Sequence, residues 1–170
     1  MSVPDRAQGP ALLQVDAIVT RLTGRQALQE VCRFLNESFS HYPWVGIYRL
    51  DGTTLVLDAW QGPEATEHTR IPVDRGVCGR AVREERTVIV DDVSSEPSYL
   101  ACFLTTRAEI VVPIRSEGRV VGEIDIDGNS VKAFDASDRR FLEAVAGKLS
   151  PALERSGAQL PSAGAAPPSS

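Results

Sequence analysis

The chain has 170 residues, of which 24% are charged and 42% hydrophobic, with a formal net charge of −5. These values suit one soluble domain with a sizeable core. They argue against a nucleic-acid partner, which requires a basic face, and no run of about 18 apolar residues points to a membrane span.

The amino terminus, Met1-Ser2-Val3-Pro4-Asp5-Arg6, lacks the charged-then-apolar pattern of a signal peptide, so a cytoplasmic location is expected. Residues 1–10 contain two prolines and read as a loose lead-in, 11–155 as one domain, and the Ser/Gly/Ala/Pro-rich 156–170 as a disordered tail. Leu12, Val15, Val19 and Leu22 recur at helical spacing. Thr23-Gly24-Arg25-Gln26 has the form of a capping box and opens a second helix, with Leu28, Val31, Leu35 and Phe39 near one face. Asp51-Gly52 separates two β-branched and aromatic runs, Trp44 to Leu50 and Thr53 to Trp60, and signals a hairpin. Thr69 to Val73 and Thr87 to Val90 read as further strands. Ile110 to Ile114 and Arg119 to Asp127 form a second hairpin around Ser116-Glu117-Gly118. Asp135 caps a last helix with Phe141, Leu142, Val145 and Leu149 as its stripe, and Pro151 should kink or end it. The order predicts an α+β fold: an antiparallel sheet with helices on one face. Asp91 to Arg107 and Gln61 to His68 are the natural lids for a pocket on the other face.

Three cysteines, an odd set without CxxC spacing, argue against a disulfide framework and a structural zinc site, and no metal is expected. Cys32, beside the stripe of the second helix, reads as a small core residue. Cys78 lies between two glycines at a helix start, where the helix N-terminus would lower its pKa. Cys102 sits in the predicted lid. In Glu123-Ile124-Asp125-Ile126-Asp127, strand alternation sends the isoleucines one way and the carboxylates the other, with Glu109 able to join them from the neighbouring strand. Such carboxylates raise one another's pKa and favour a cation or a shared proton; an ordinary solvated sheet face remains the alternative. His41 and His68 read as surface or loop residues. No phosphate-binding loop and no nucleophile elbow is present. The residues thus leave open thiol redox chemistry or a polar ligand pocket.

Trp44-Val45-Gly46-Ile47-Tyr48, Ile71-Pro72-Val73, Arg75-Gly76-Val77-Cys78-Gly79, Asp91-Asp92-Val93, Ala101-Cys102, Glu109-Ile110-Val111-Val112-Pro113 and Ile124-Asp125-Ile126-Asp127 together resemble a GAF domain. Over residues 15–150 they are most similar to the free methionine-(R)-sulfoxide reductases among GAF proteins. The resemblance implies a GAF sheet with a small-molecule pocket, Cys102 as attacking cysteine and Cys78 as a second motif cysteine. It implies Glu109, Asp125 and Asp127 as pocket carboxylates and Trp44 and Tyr48 as pocket aromatics. It further implies a free amino-acid substrate, a Cys102 sulfenic acid that condenses with Cys78, thioredoxin as external reductant and no bound cofactor. The chain departs from the family at His68, where a resolving cysteine is often found, and at Tyr99 and Phe103, where His and Asp flank the attacking cysteine. The alternatives are a non-catalytic GAF ligand-binding or regulatory module and a thiol redox sensor; a homodimer stays open.

Overall fold

A computed structural model describes residues 3–158. Six strands form one antiparallel sheet in the order β3-β2-β1-β6-β5-β4. They are β1 (Trp44–Asp51), β2 (Thr54–Gln61), β3 (Arg70–Pro72), β4 (Val88–Val90), β5 (Ala108–Ser116) and β6 (Arg119–Gly128). Both hairpins form where turn chemistry placed them. Asp51 pairs with Thr54 around Gly52, whose φ of +60° suits glycine. The second turn is tighter than expected. Ser116 pairs with Arg119, so Glu117 and Gly118 alone turn the chain, both at positive φ as a type I′ turn requires.

The helices are α1 (Asp5–Arg21), α2 (Gly24–Ser38), α3 (Gly76–Glu84), α4 (Ala136–Ala146) and α5 (Ser150–Ala158). Strand alternation sorts them into two layers. Val45 and Ile47 of β1, Ile110, Val112 and Ile114 of β5, and Ile124 and Ile126 of β6 join α1, α2, α4 and α5 in the main core. Within it α1 packs against α2 and α4. The opposite face carries Trp44, Tyr48, Leu55, Ile71 and Val111 and is covered by α3 and by Tyr99, Leu100 and Phe103 of the loop after β4. No helix among the described residues is long and apolar enough to cross a membrane.

Four local expectations are corrected. Residues 5–10 are the first turns of α1, not a loose lead-in. Val3 is buried, and Gln8 Nε2 donates to Ser137 Oγ at 2.9 Å, which ties this end to α4. Thr23 makes no side-chain cap bond; the helix opens instead on Gly24 at φ +56°. Pro151 does not end the last helix. The chain turns after α4, and Pro151 lies in the first turn of α5, where proline loses no helical hydrogen bond. Residues 156–158 belong to α5, anchored by Ser156 Oγ donating to Asp58 Oδ2 at 2.6 Å. The rest of the expected tail lies outside the described residues.

Candidate active site

Strand β6 is the axis of the site. It lies between β1 and β5, and its outward residues are Glu123, Asp125 and Asp127. Each has fixed neighbours. Asp127 stands between Trp44 and Glu109, Asp125 between Gly46 and Val111, and Glu123 between Tyr48 and Pro113. All four carboxylates are buried, with Glu123 and Asp125 at 0% exposure. The solvated-face alternative is therefore ruled out. Both oxygens of Glu123, Asp125 and Asp127, and Oε2 of Glu109, have no hydrogen-bond partner of good geometry.

Burial without donors disfavours the charged form. It pushes Glu109 and Asp127 well above the usual carboxylate range, and the charge of Asp125 adds to this. Burial likewise lifts Glu123. Asp125 is pushed up to about 6 by burial, and the proton-bearing Glu109 and Cys78 beside it hold it down. The cluster thus separates into a carboxyl that ionises near neutrality and neighbours that keep their protons.

Cys78 is the third residue of α3 and faces this cluster. Burial raises its pKa, and Asp125, Glu123 and Glu109 raise it further. The expected lowering by the helix N-terminus is therefore overridden, because the low dielectric and three acids oppose the thiolate more than a partial dipole favours it. Cys102 comes from the lid. Its sulfur lies 3.7 Å from the Leu100 carbonyl oxygen, and burial followed by Asp125, Asp127 and Glu109 also raises its pKa. Cys102 Sγ lies within 4.8 Å of carboxylate oxygens of Asp125 and Asp127, and Cys78 Sγ within 4.8 Å of Glu109 and Asp125. Asp125 is thus common to both thiols. Cys32 lies in the helical core, as expected.

The aromatic wall is built by close approach. The Trp44 indole fits between Gly46 and Gly62, where a Cβ at either position would collide with it. It stacks near Trp60 (6.4 Å, 13°) and meets the lid residue Phe103 at 5.6 Å. Its Nε1 donates to the Glu64 carbonyl at 3.2 Å. Tyr48 donates its hydroxyl to the His68 carbonyl at 2.8 Å. The His68 ring meets the Ala101 carbonyl at 2.9 Å, so it joins the two loops over the site rather than lying free. That bond was not visible in the sequence, because it joins two irregular loops 33 residues apart. Glu123, which strand alternation placed beside Asp125 but the family resemblance did not count among the pocket carboxylates, is buried there as well.

Two cavities among the described residues of this face are small. One of about 30 Å³ lies among Trp44, Phe103, Thr106 and Asp127. One of about 10 Å³ lies among Cys78, Cys102, Leu100 and Glu109.

A six-stranded antiparallel sheet with a thiol- and acid-lined pocket under loops defines a GAF architecture, and the GAF domain family model matches residues 23–154. The chain belongs to the GAF domain family. It is 38% identical over 136 residues to GAF domain-containing protein A of Dictyostelium discoideum, covering 79% of this chain and 84% of that one. It is 33% identical over 126 residues to the free methionine-R-sulfoxide reductase of Escherichia coli, covering 74% and 75%. The structure of free methionine-R-sulfoxide reductase from Neisseria meningitidis in complex with its substrate superposes with a TM-score of 0.82 at 36% identity, over 94% of this chain and 97% of that one.

Proposed function

We propose that this protein reduces free methionine-(R)-sulfoxide to methionine with Cys102, recycled through Cys78 and a dithiol protein of the thioredoxin class. The observation that carries the reading is the convergence of both thiols on Asp125, inside a shell of proton-holding carboxyls. The similarity to reductases from two bacteria supports it.

The carboxyls divide the proton work. Asp125, ionised near neutrality, accepts the Cys102 proton, and protonated Glu109 donates to the sulfoxide oxygen. The Cys102 sulfur then supplies the electron pair that reduces the sulfoxide. The S–O bond of the substrate breaks, leaving methionine and a Cys102 sulfenic acid, so that sulfoxide plus thiol give sulfide plus sulfenic acid. The Cys78 thiol displaces the hydroxyl as water and closes a Cys78–Cys102 disulfide. An external dithiol returns two electrons and two protons. The carbonyl oxygen of the Asp127 carboxyl accepts from the substrate ammonium, and Trp44, beside it across the strand pair, packs on the methyl end.

Cavities of about 30 and 10 Å³ are far below the ~300 Å³ of an ordinary ligand pocket. The lid around Cys102 therefore moves on substrate entry, and the His68–Ala101 bond is one contact it breaks.

The test is NADPH oxidation by the reduced protein with free methionine sulfoxide, thioredoxin and thioredoxin reductase. The R epimer should turn over and the S epimer should not, and Cys102→Ser should abolish turnover while keeping methionine binding. A protein that reduces neither epimer and binds neither sulfoxide nor methionine is a non-catalytic GAF module.

A further inference from the structure

The reductase chemistry explains why acids and thiols meet, but not why so many buried carboxyl oxygens face one another without a partner. Both oxygens of Asp125 and Oε2 of Glu109 are buried and unpartnered beside Cys78.

We propose that the reduced protein binds one thiophilic divalent cation of the zinc class between Cys78, Glu109 and Asp125. Three observations converge. Ligand atoms of Cys78, Glu109 and Asp125 lie within 4.8 Å of one another, close to the spacing of donors around one ion with zinc–sulfur bonds of about 2.3 Å and zinc–oxygen bonds of about 2.0–2.2 Å. Cys78, Cys102 and Glu109 line the same cavity, and its volume of about 10 Å³ is that of roughly one water-sized sphere. An ion fits there without lid movement, whereas an amino acid does not. The donor set is one sulfur and two carboxylates, which favours a borderline-soft ion over magnesium or calcium, whose preference is for oxygen alone.

The ligands bind as a thiolate and carboxylates, so binding releases protons and strengthens as pH rises. It also requires a reduced thiol. A Cys78–Cys102 disulfide removes the sulfur donor, so the ion binds only the reduced form. Because the ion occupies Asp125 and Glu109, the groups that move protons in sulfoxide reduction, metal binding and turnover exclude each other. The metal site itself does not rest on the reductase reading, since it is measured without substrate.

The experiment uses reduced full-length protein stripped with a chelator and titrated with Co²⁺, with Zn²⁺ then added to displace it. The expected result is one ion per chain, a thiolate-to-cobalt absorption band in the near ultraviolet, and loss of that band on oxidation with peroxide. Cys78→Ser should weaken Zn²⁺ binding on the order of 10²-fold, measured by calorimetry. Cys32→Ser, in the helical core, should leave it unchanged. Circular dichroism and melting establish that each variant is folded. A wild-type titration without the sulfur band overturns the proposal, as does a band that survives oxidation or a folded Cys78→Ser variant with wild-type affinity. If metal binding fails and sulfoxide reduction persists, only the cation site is lost; if the band appears without reductase activity, only the catalytic reading is lost.

Discussion

Asp125 has a cost to the fold that can be measured. Its carboxyl ordinarily titrates at 3.8 and is pushed up to about 6 in the folded chain, where it is fully buried. The folded state therefore favours the protonated form. That favourable contribution is complete below 3.8 and is lost as pH rises through about 6. At about 1.4 kcal/mol per pH unit, the interval corresponds to about 3 kcal/mol against the fold at pH 8, and to under about 1 kcal/mol at pH 4. Asp125→Asn has nearly the same shape and cannot ionise. In chelator-treated protein it should be more stable than wild type by about 3 kcal/mol at pH 8, a rise of roughly 6–12 °C in Tm, with little difference at pH 4. The same substitution should lower sulfoxide reduction on the order of 10²–10⁴-fold by removing the base. Urea denaturation and calorimetric melting at the two pH values read the first effect, and the coupled NADPH assay reads the second. A stability difference of equal size at both pH values, or a variant less stable at pH 8, would refute the assignment of a buried ionising carboxyl.

Two further outcomes follow from other parts of the structure. Asp138 accepts from Tyr42 at 2.7 Å and bonds the His41 ring at 2.7 Å; burial raises its pKa, but these bonds outweigh it and hold the carboxyl below 3.8. Its contribution is therefore present above 3.8 and lost as pH falls through the lower folded value. Asp138→Asn should cost about 1–3 kcal/mol at pH 7, with the gap closing in acid, as followed by urea denaturation. Gly46→Ala would drive a Cβ into the Trp44 ring; the expected cost is about 1–3 kcal/mol, with a shifted tryptophan emission. Wild-type melting and emission would show that the indole is not gripped there.

The pocket face was legible because β6 alternates strictly: Ile124 and Ile126 could not share a face with Asp125 and Asp127, and the register bears this out. The hairpins at Asp51-Gly52 and Ser116-Glu117-Gly118 were legible because each turn places a glycine, Gly52 or Gly118, at positive φ. What alternation does not reveal is depth. It separates two faces but does not tell a wet face from one sealed by α3 and the lid, and that seal reverses the expected effect of the helix N-terminus on Cys78. Nor does local pattern foresee an anchor made far along the chain. The lead-in is helical because Val3 and Gln8 meet Ser137, and α5 continues through Ser156 because Asp58 holds it.

Because β6 serves the helical core with one set of residues and the thiol pocket with the next, substitutions and length changes have unlike consequences for descent. Either face can drift residue by residue while the other stays fixed. A single inserted or deleted residue between Gly122 and Gly128 exchanges the two sets, placing acids among the helices and isoleucines against the cysteines. Lineages of this chain can thus change pocket chemistry gradually, but they can absorb changes of length only outside that segment, in the exposed Glu117-Gly118 turn or at the irregularity where Val121 already stands unpaired.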